Sequence, residues 1–287
     1  MPRNRRDRVQ GAQPGARVVK RLLIAFFLMA AALEASALFD KIASLVGEET
    51  FARNEAFIHI IFEDENAYLE NDRVNVVKVV ETLKENGLLN LFFDRPKTLE
   101  LIFETNGTPQ FFMTLMNATL RDMGYYHYLT DSAVLNNAGY TWKIRMESEY
   151  ATDPTALQRE LARRGCGILD LERLSDTRWR YLIDMSGAHL KIDPLEPGKT
   201  VTMKRLVYPR WLDVSRVRKL TLWSLQGNNW YPYIAFYDDS LRLIKLYKRD
   251  RRSWQIIINL PRGCAYVKVA DLYSRKNMKA GLKVKAE

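Results

Sequence analysis

The chain has 287 residues, of which 47% are hydrophobic, and it carries a formal net charge of +10. A chain of this length can form one large or two medium domains, and its hydrophobic share is that of an ordinary globular protein. The charge is unevenly distributed: residues 38–185 hold 16 basic and 24 acidic residues, whereas residues 186–287 hold 21 and 8. We therefore expect an acidic part of net charge −8 and a basic part of net charge +13, which either bind different partners or attract each other.

The N-terminus is predicted to be an export signal. Twelve apolar residues at Leu22–Leu33 follow a basic segment and precede Ala35-Ser36-Ala37. This run is shorter than the ~20 apolar residues that span a bilayer, and the small residues after it are typical of a cleavage site. We predict cleavage after Ala37, with an uncleaved membrane anchor over residues 18–37 and a buried core helix as the alternatives. Since basic flanks stay in the cytoplasm, the protein is predicted to be periplasmic, either soluble or anchored to the inner membrane by this helix.

Residues 54–132 are predicted to adopt a ferredoxin-like β-α-β-β-α-β order. Before them, residues 38–53 are predicted to be a short helix and linker, since Leu38, Ile42 and Leu45 have helical spacing. The predicted elements are a buried strand at Ala56–Phe62, a helix capped by Asp72 with Val76, Val79, Val80 and Leu83 on its buried side, strands at Leu88–Phe93 and Thr98–Glu104 around a turn at Asp94-Arg95-Pro96, a helix from Thr108-Pro109 to Gly124, and a strand at Tyr125–Thr130.

Residues 138–185 partly repeat this pattern and complete an acidic α+β region over residues 54–185. A strand at Thr141–Glu147 precedes a helix that begins at Asp153-Pro154, where aspartate caps the helix and proline takes its first position. Ile168–Leu174 and Trp179–Met185 then form a hairpin. The segment is interpreted either as a partial second copy of the ferredoxin-like unit or as part of one continuous sheet.

Residues 186–287 are predicted to form a basic, antiparallel β-sandwich. Short β-favouring runs recur there at roughly ten-residue spacing, without a long helical stripe. The predicted strands are Val201–Lys204, Lys219–Trp223, Tyr233–Tyr237, Leu243–Tyr247, Trp254–Ile258, Tyr266–Val269 and Leu282–Val284. We place the boundary before them at Pro194–Gly198.

No residue pattern in the sequence indicates catalysis, a cofactor or a bound metal. His59, His127 and His189 are far apart, whereas a metal site needs three or four closely spaced ligands. Nucleophile-elbow and phosphate-loop motifs are absent from the sequence. The acidic run Glu63–Asn66 lacks the spacing of a calcium loop and is interpreted as a solvated loop. We predict that the protein is not an enzyme and has no cofactor.

The two cysteines, Cys166 and Cys264, would meet an oxidising compartment after export. Each lies beside a glycine at the start of an apolar run, and the two belong to different predicted domains. This placement favours two buried free thiols, with a single disulfide as the alternative.

Basic and aromatic side chains of the C-terminal part are the candidate binding residues. The basic ones form a run in a predicted hairpin tip: Lys245, Lys248, Arg249, Arg251 and Arg252. The aromatic ones flank the turn Gln226–Asn229: Trp223, Trp230 and Tyr231. The basic run is interpreted either as a solvated hairpin or as a docking surface for an acidic protein or an anionic cell-envelope polymer. The aromatic residues are interpreted either as core or as a sugar-binding face. Because export is predicted, nucleic acid is not an expected partner.

Asn106 is a candidate glycosylation site. The segment Glu104–Thr108 contains an N-x-[ST] acceptor and an acidic residue two positions before the asparagine. This extended pattern resembles the acceptor of bacterial N-glycosylation systems, and it falls in a predicted loop. Asn117 matches only the short pattern and lies within a predicted helix. Modification is therefore predicted at Asn106, with an unmodified loop as the alternative.

The whole arrangement resembles a known group of proteins. The features that carry the resemblance are the long basic N-terminus, the segments Asn86-Gly87-Leu88 and Gly124-Tyr125-Tyr126, the helix start Asp153-Pro154 and the basic β-rich C-terminal part. Together they resemble periplasmic proteins of epsilonproteobacteria, a group that includes accessory components of enlarged flagellar motors. The resemblance implies a non-catalytic scaffold role and transfers no binding residue.

We therefore expect an exported interaction or scaffold protein of the bacterial cell envelope. Its expected partner is an envelope protein or an anionic cell-wall polymer, and membrane contact is expected only through residues 18–37 if they are not cleaved. A glycan- or peptidoglycan-binding module and an envelope enzyme are the alternatives.

Overall fold

The computed structural model describes residues 37–206 and 208–287. The predicted export signal at Leu22–Leu33 lies outside these residues. The described chain is a mixed α+β protein with five helices and several antiparallel sheets, as predicted. It divides into two compact units between Asn90 and Leu91, and the division into an acidic and a basic part at Met185 stays a prediction. Within the described ranges, no helix is both long and apolar enough to cross a bilayer.

The first unit is mainly helical. It contains α1 (37–46), α2 (Glu48–Ile61), α3 (Val76–Glu85) and a small hairpin of β1 (Leu69–Glu70) and β2 (Arg73–Val74). As predicted, α1 buries Leu38, Ile42 and Leu45 completely. The predicted buried side of α3 is also confirmed, but its cap is Asn75 rather than Asp72: the Asn75 side chain accepts a hydrogen bond from the Lys78 N–H at 3.1 Å.

The strand predicted at Ala56–Phe62 is wrong, because this run belongs to α2. A short apolar run does not by itself distinguish a strand from a helix. Here Glu48 and Glu49 lie in the first turn of α2, where acidic side chains interact favourably with the helix dipole. After a kink at Asn54, the helix continues through the apolar run. Only Ile58 of α2 is fully buried, so the run was less deeply buried than its composition suggested.

The second unit begins with a five-stranded sheet, which we call the α/β sheet. Its strands are β3 (Phe92–Thr105), β4 (Leu129–Asn136), β5 (Gly139–Tyr150), β6 (Gly167–Ser175) and β7 (Arg178–Asp184). Their order across the sheet is β4-β5-β3-β7-β6, with β3 and β7 parallel and the other pairs antiparallel. Of the two interpretations of residues 138–185, the structure has the single continuous sheet.

Two further predictions in this part need correction. The strands predicted at Leu88–Phe93 and Thr98–Glu104 are one strand, β3, and the predicted turn is an irregularity in its pairing with β5 between Phe92 and Lys97. A bulge of this kind accommodates a proline inside a strand. The strand predicted at Tyr125–Thr130 begins only at Leu129. The ferredoxin-like order depended on these elements, and the observed strand order is different from it.

Helices α4 (Pro109–Asp122) and α5 (Pro154–Ala162) begin where the sequence predicts. The Asp153 carboxylate accepts a hydrogen bond from the Thr155 N–H at 3.0 Å and so caps α5. The two helices are linked by an ion pair between Asp122, the last residue of α4, and Arg164, which follows α5: the Nη2–Oδ2 distance is 2.6 Å, and Arg164 is buried. This guanidinium lowers the pKa of Asp122.

This ion pair predicts a pH dependence of stability. Because the pKa of Asp122 is lower in the folded than in the unfolded chain, its contribution is complete above the ordinary aspartate pKa of about 4 and is lost as the pH falls through the lowered folded value. Since the carboxylate is 40% exposed, we expect Asp122→Asn to reduce the free energy of unfolding at neutral pH by only about 1 kcal/mol. Urea unfolding should show this difference shrinking at acidic pH. A constant difference at every pH would contradict it.

Residues 200–286 form two four-stranded antiparallel sheets. Sheet I has the order β13-β10-β15-β8, and sheet II has the order β12-β11-β14-β9. The strands are β8 (Thr200–Lys204), β9 (Arg210–Asp213), β10 (Lys219–Ser224), β11 (Pro232–Tyr237), β12 (Leu243–Lys248), β13 (Gln255–Asn259), β14 (Tyr266–Asp271) and β15 (Gly281–Ala286). All seven predicted strands are confirmed. The sequence did not reveal β9, whose four residues are too few to show a clear alternation.

Buried residues of the two sheets form one hydrophobic cluster. Sheet I contributes Leu220, Leu222, Ile256, Leu282 and Val284, and sheet II contributes Leu212, Ile234, Phe236, Val267 and Val269. Trp230, in the loop before β11, also belongs to this cluster. Since side chains alternate along a strand, the residues of sheet I that lie between the buried ones point away from the cluster. This alternation creates the outer surface on which the candidate site lies.

Candidate functional site

The predicted basic hairpin is not a hairpin. Lys245 and Lys248 lie on β12, at the edge of sheet II, whereas β13 belongs to sheet I. Residues 249–254 therefore connect two sheets. The connection is fixed where the Ser253 N–H donates to the Trp230 carbonyl at 2.9 Å and Arg252 donates to the Asn228 carbonyl at 3.1 Å.

Aromatic rings lie beneath two cations of this basic run. The Lys248 ammonium lies 5.5 Å from the centre of the Tyr233 ring, and the Arg252 guanidinium lies 4.5 Å from the Trp254 ring. Asp250, within the connection, accepts a hydrogen bond from the Tyr273 hydroxyl, which raises the pKa of Tyr273. The basic run is thus held in place by several contacts with neighbouring residues, and the acidic residue Asp250 interrupts it.

The three predicted aromatic binding residues have different environments. Trp230 is fully buried, and its Nε1–H donates to the Ala270 carbonyl at 2.9 Å, so it is a core residue and its ring is inaccessible to a ligand. Tyr231 is half-buried against Tyr273, with ring centres 5.2 Å apart. Trp223 is half-buried on the outer surface of sheet I. Of the three, Trp223 is therefore the best placed to contact a ligand.

Trp223 lies in the middle of a basic surface that we call the basic face. The basic face is the outer side of sheet I, with Thr200, Thr202, Lys204, Lys219, Thr221, Trp223, Gln255, Ile257, Lys283 and Lys285. Trp223 is paired with Gln255 of β13 on one side and with Lys283 of β15 on the other. The Lys283 ammonium lies 5.6 Å from the centre of the Trp223 ring.

The basic face holds one acidic side chain against four lysines. Glu287 pairs with Lys219 at 2.8 Å and with Lys285 at 3.3 Å, and these hydrogen bonds lower the pKa of its carboxylate. Lys204 and Lys283 are exposed, and neither forms an ion pair with another described residue. Two ammonium groups are therefore available to an anionic partner.

The α/β sheet shows the opposite situation. On its polar face, Glu100 pairs with Lys143 at 2.7 Å and with Arg178, and Asp131 pairs with Arg145 at 3.0 Å. These acids and bases neutralise each other across neighbouring strands. All four basic side chains of this face, Lys143, Arg145, Arg178 and Arg180, are paired with acids. The basic face is therefore the stronger candidate for binding an anionic partner.

The groups on the basic face are suited to binding anions, flat apolar surfaces and polar groups. Lysine ammonium groups attract carboxylates and phosphates, and an indole ring stacks on flat apolar surfaces, including those of sugars. Threonine hydroxyls and the Gln255 amide can form hydrogen bonds with either class of ligand. Among the described residues, no cluster of three or more histidine, cysteine or acidic side chains has the geometry of a metal site.

Both cysteines are free thiols, as predicted. Cys166 is buried and Cys264 is half-buried. Burial raises the pKa of each thiol to about 11, so both are protonated at neutral pH and are poor nucleophiles.

Asn106 is exposed in the loop between β3 and α4, as its sequence context predicts. The hydroxyl of Thr108, the third residue of the acceptor pattern, donates to the Ser240 carbonyl at 2.6 Å. The Thr108 hydroxyl, which defines the acceptor pattern, is thus already hydrogen-bonded in the folded chain. Glycosylation at Asn106 stays a prediction.

The lysines that surround Trp223 were not predicted as binding residues. Lys283 and Lys285 alternate with the buried Leu282 and Val284, and this two-residue period was a usable signal for one outward-facing basic row. The position of β15 between β10 and β8 could not be predicted from such a local pattern, because strand order depends on contacts between distant segments.

Comparison of the chain with protein-family models, curated proteins and solved structures gives no significant match.

Proposed function

We propose that this protein is a non-catalytic interaction protein that binds an acidic protein partner through the basic face. The observation that carries this proposal is the pair of exposed ammonium groups, Lys204 and Lys283, on an outer sheet surface with a net excess of lysines. We interpret sheets I and II as a sandwich that presents this face. The proposed setting is the bacterial cell envelope, in an exported assembly such as a flagellar motor, which rests on the predicted export signal and on the resemblance.

A second candidate function is binding of an anionic glycan such as cell-wall polymer. It is favoured by the arrangement around Trp223, whose ring lies beside a lysine and within a row of hydrogen-bonding side chains, Gln255 and Thr202. An aromatic ring surrounded by hydrogen-bonding groups is better suited to stacking on a sugar ring than to contacting a protein surface. Trp223 therefore distinguishes the two candidates.

Charge reversal on the basic face tests the first candidate. We expect the Lys204→Glu, Lys283→Glu double variant of the full-length protein to associate several-fold more slowly with immobilised poly-L-glutamate, because exposed charges mainly affect association rates. The wild-type interaction should weaken from about 0.01 M to about 1 M salt, as the Debye length falls from ~30 Å to ~3 Å. Surface charges contribute little to folding, so circular dichroism should be unchanged.

The matched control is a double variant with the same charge change in the predicted basic run, Lys245→Glu with Arg251→Glu. Both control residues are exposed. We expect this control to slow association less than the basic-face variant does. If the control had the larger effect, the binding surface would be the basic run, and the proposal for the basic face would be wrong.

Truncation of Trp223 tests the second candidate. We expect Trp223→Ala to weaken sedimentation with purified peptidoglycan by about tenfold if the ring is a stacking platform. The same variant should bind poly-L-glutamate with nearly unchanged affinity, since the lysines remain. Equal binding of peptidoglycan by the wild type and the variant would eliminate the glycan function.

A further inference from the structure

A groove of about 840 Å³ opens between the edges of sheets I and II. Its lining includes β8 at the edge of sheet I, β9 at the edge of sheet II and the segment that precedes β8. Four lining residues are also members of the buried cluster between the sheets: Leu195, Met203, Leu212 and Val284. The groove is therefore an opening into the hydrophobic core along two strand edges.

One of these edges is already partly covered by the chain itself. Pro194 forms a parallel bridge with Asp213 of β9, and the Leu195 N–H donates to the Asp213 carbonyl at 2.9 Å. Leu195 places its side chain in the hydrophobic cluster. The structure thus contains one example of an extended segment that pairs with an edge strand here and inserts an apolar side chain.

The outer edge of β8 is not covered by a strand of the part of the chain that the structure describes. Among the described residues, β8 pairs only with β15. The Ala286 N–H donates to the Lys199 carbonyl at 3.0 Å. Because main-chain groups in an antiparallel pair alternate in direction, Val201 and Met203 direct theirs to β15, whereas Thr200 and Thr202 direct theirs outward. Val201 is 42% exposed although it pairs with the fully buried Val284, so its side chain is an incompletely covered part of the groove floor.

The charges around this edge define what kind of strand fits it. A strand added to β8 would direct alternate side chains into the groove, against Val201 and Met203, and the others toward the basic face, beside Lys204. On the rim, Glu196 is paired with Lys199. The other charged residues of the lining are Asp193, Lys191 and Arg210, and the two basic ones form no ion pair with any described residue. Apolar side chains therefore suit the inner positions, and acidic side chains suit the outer ones.

We propose that β8 binds an extended segment of a partner protein, in which apolar residues alternate with aspartate or glutamate, as an added antiparallel strand of sheet I. Main-chain hydrogen bonds to Thr200 and Thr202 hold the segment, its apolar side chains fill the groove, and its carboxylates face the lysines. This strand addition does not depend on the function proposed above, because it uses the edge of sheet I rather than its outer face alone.

The test uses a labelled nine-residue peptide of alternating valine and glutamate with the full-length protein. We expect binding that is at least about tenfold tighter than for the valine–lysine peptide of the same length. In an antiparallel pair, the residue opposite Thr202 has its side chain on the same face, so the glutamate N–H groups point to β8. N-methylation of the glutamate amides should therefore abolish binding, whereas N-methylation of the valine amides should not.

Thr202→Pro is the matching change in the protein. Proline removes an N–H that points outward, so pairing between β8 and β15 should persist while the added strand loses a donor. We expect at least about tenfold weaker peptide binding by Thr202→Pro and unchanged binding by Thr202→Ala. Hydrogen exchange should slow at Thr200 and Thr202 when the peptide binds.

Three results would overturn the proposal: no binding of the valine–glutamate peptide, equal binding of the valine–lysine peptide, or wild-type affinity in folded Thr202→Pro. Lys283→Glu distinguishes strand addition from the function proposed above, because it changes a lysine of the basic face and leaves the main-chain edge of β8 unchanged. Strand addition can fail while poly-L-glutamate binding remains, and poly-L-glutamate binding can fail while the N-methylation pattern remains.

Discussion

Gly281→Ala is expected to destabilise the second unit by about 3 kcal/mol. Gly281 opens β15 with a φ of +113°, a backbone conformation that alanine adopts only under strain. A Cβ at this position would lie 2.0 Å from the Met203 carbonyl oxygen and 2.9 Å from the Lys204 Cα. These atoms are backbone of the paired strand β8, so no side-chain rotation relieves the clash.

The position of Gly281 is fixed from its other side as well. Asn228 is buried, its amide donates to the Gly281 carbonyl at 2.6 Å, and its side-chain oxygen accepts a hydrogen bond from the Ala280 N–H at 2.9 Å. The start of β15 is therefore held between the Gln226–Asn229 turn and β8. It cannot move away from an added methyl group without breaking these bonds.

Gly263→Ala is the matched control. Gly263 also has a positive φ, +76°, but a Cβ there would meet no atom within 4 Å. Alanine should cost only the backbone penalty of about 1 kcal/mol. Urea unfolding followed by tryptophan fluorescence gives both values. Equal losses of unfolding free energy in the two variants would show that the close approach of β15 to β8 does not restrict the side chain at Gly281.

Trp230→Ala is expected to have the second large effect, a loss of about 3–5 kcal/mol. The Trp230 ring is completely buried in the cluster between the sheets, and its truncation leaves a cavity. The variant also loses the hydrogen bond that the indole donates to the Ala270 carbonyl.

Trp254→Ala provides the comparison for Trp230. Trp254 is 57% exposed, and its ring contacts the Arg252 guanidinium on the surface. We expect its truncation to change the free energy of unfolding by less than about 1 kcal/mol. Denaturant midpoints of the two variants measure the contrast. A similar loss for both would contradict the assignment of Trp230 to the core.

Local signals in the sequence predicted the elements that have local causes. Asp153-Pro154 begins a helix because the cap and the first turn are determined by adjacent residues. The seven β-rich runs after Pro194 became strands for a similar reason, since β-favouring residues are concentrated within each run, and some, such as Gln255–Asn259, also alternate between buried and exposed residues. The run at Ala56–Phe62 had no such alternation, and a short apolar run of this kind can form either a strand or a helix.

Long-range pairing was not predictable from these signals. Nothing within β12 or β13 indicates that the two consecutive strands belong to different sheets, so the basic run appeared to be a hairpin tip. Trp223 and Trp230 looked equivalent as aromatic residues beside one turn. Only the register of β10 with β13 and β15 shows that Trp223 faces outward, while Trp230 enters the core.

The place of β15 in sheet I determines when this sheet can form. β15 follows all the other described strands, yet it pairs with both β10 and β8. Until residues 281–286 have emerged from the ribosome, β8 has no partner strand and β10 lacks one of its two neighbours. Native pairing over such long sequence separations is slow. Sheet I therefore cannot be completed before β15 has been synthesised, whereas the α/β sheet has all of its strands once β7 has been made.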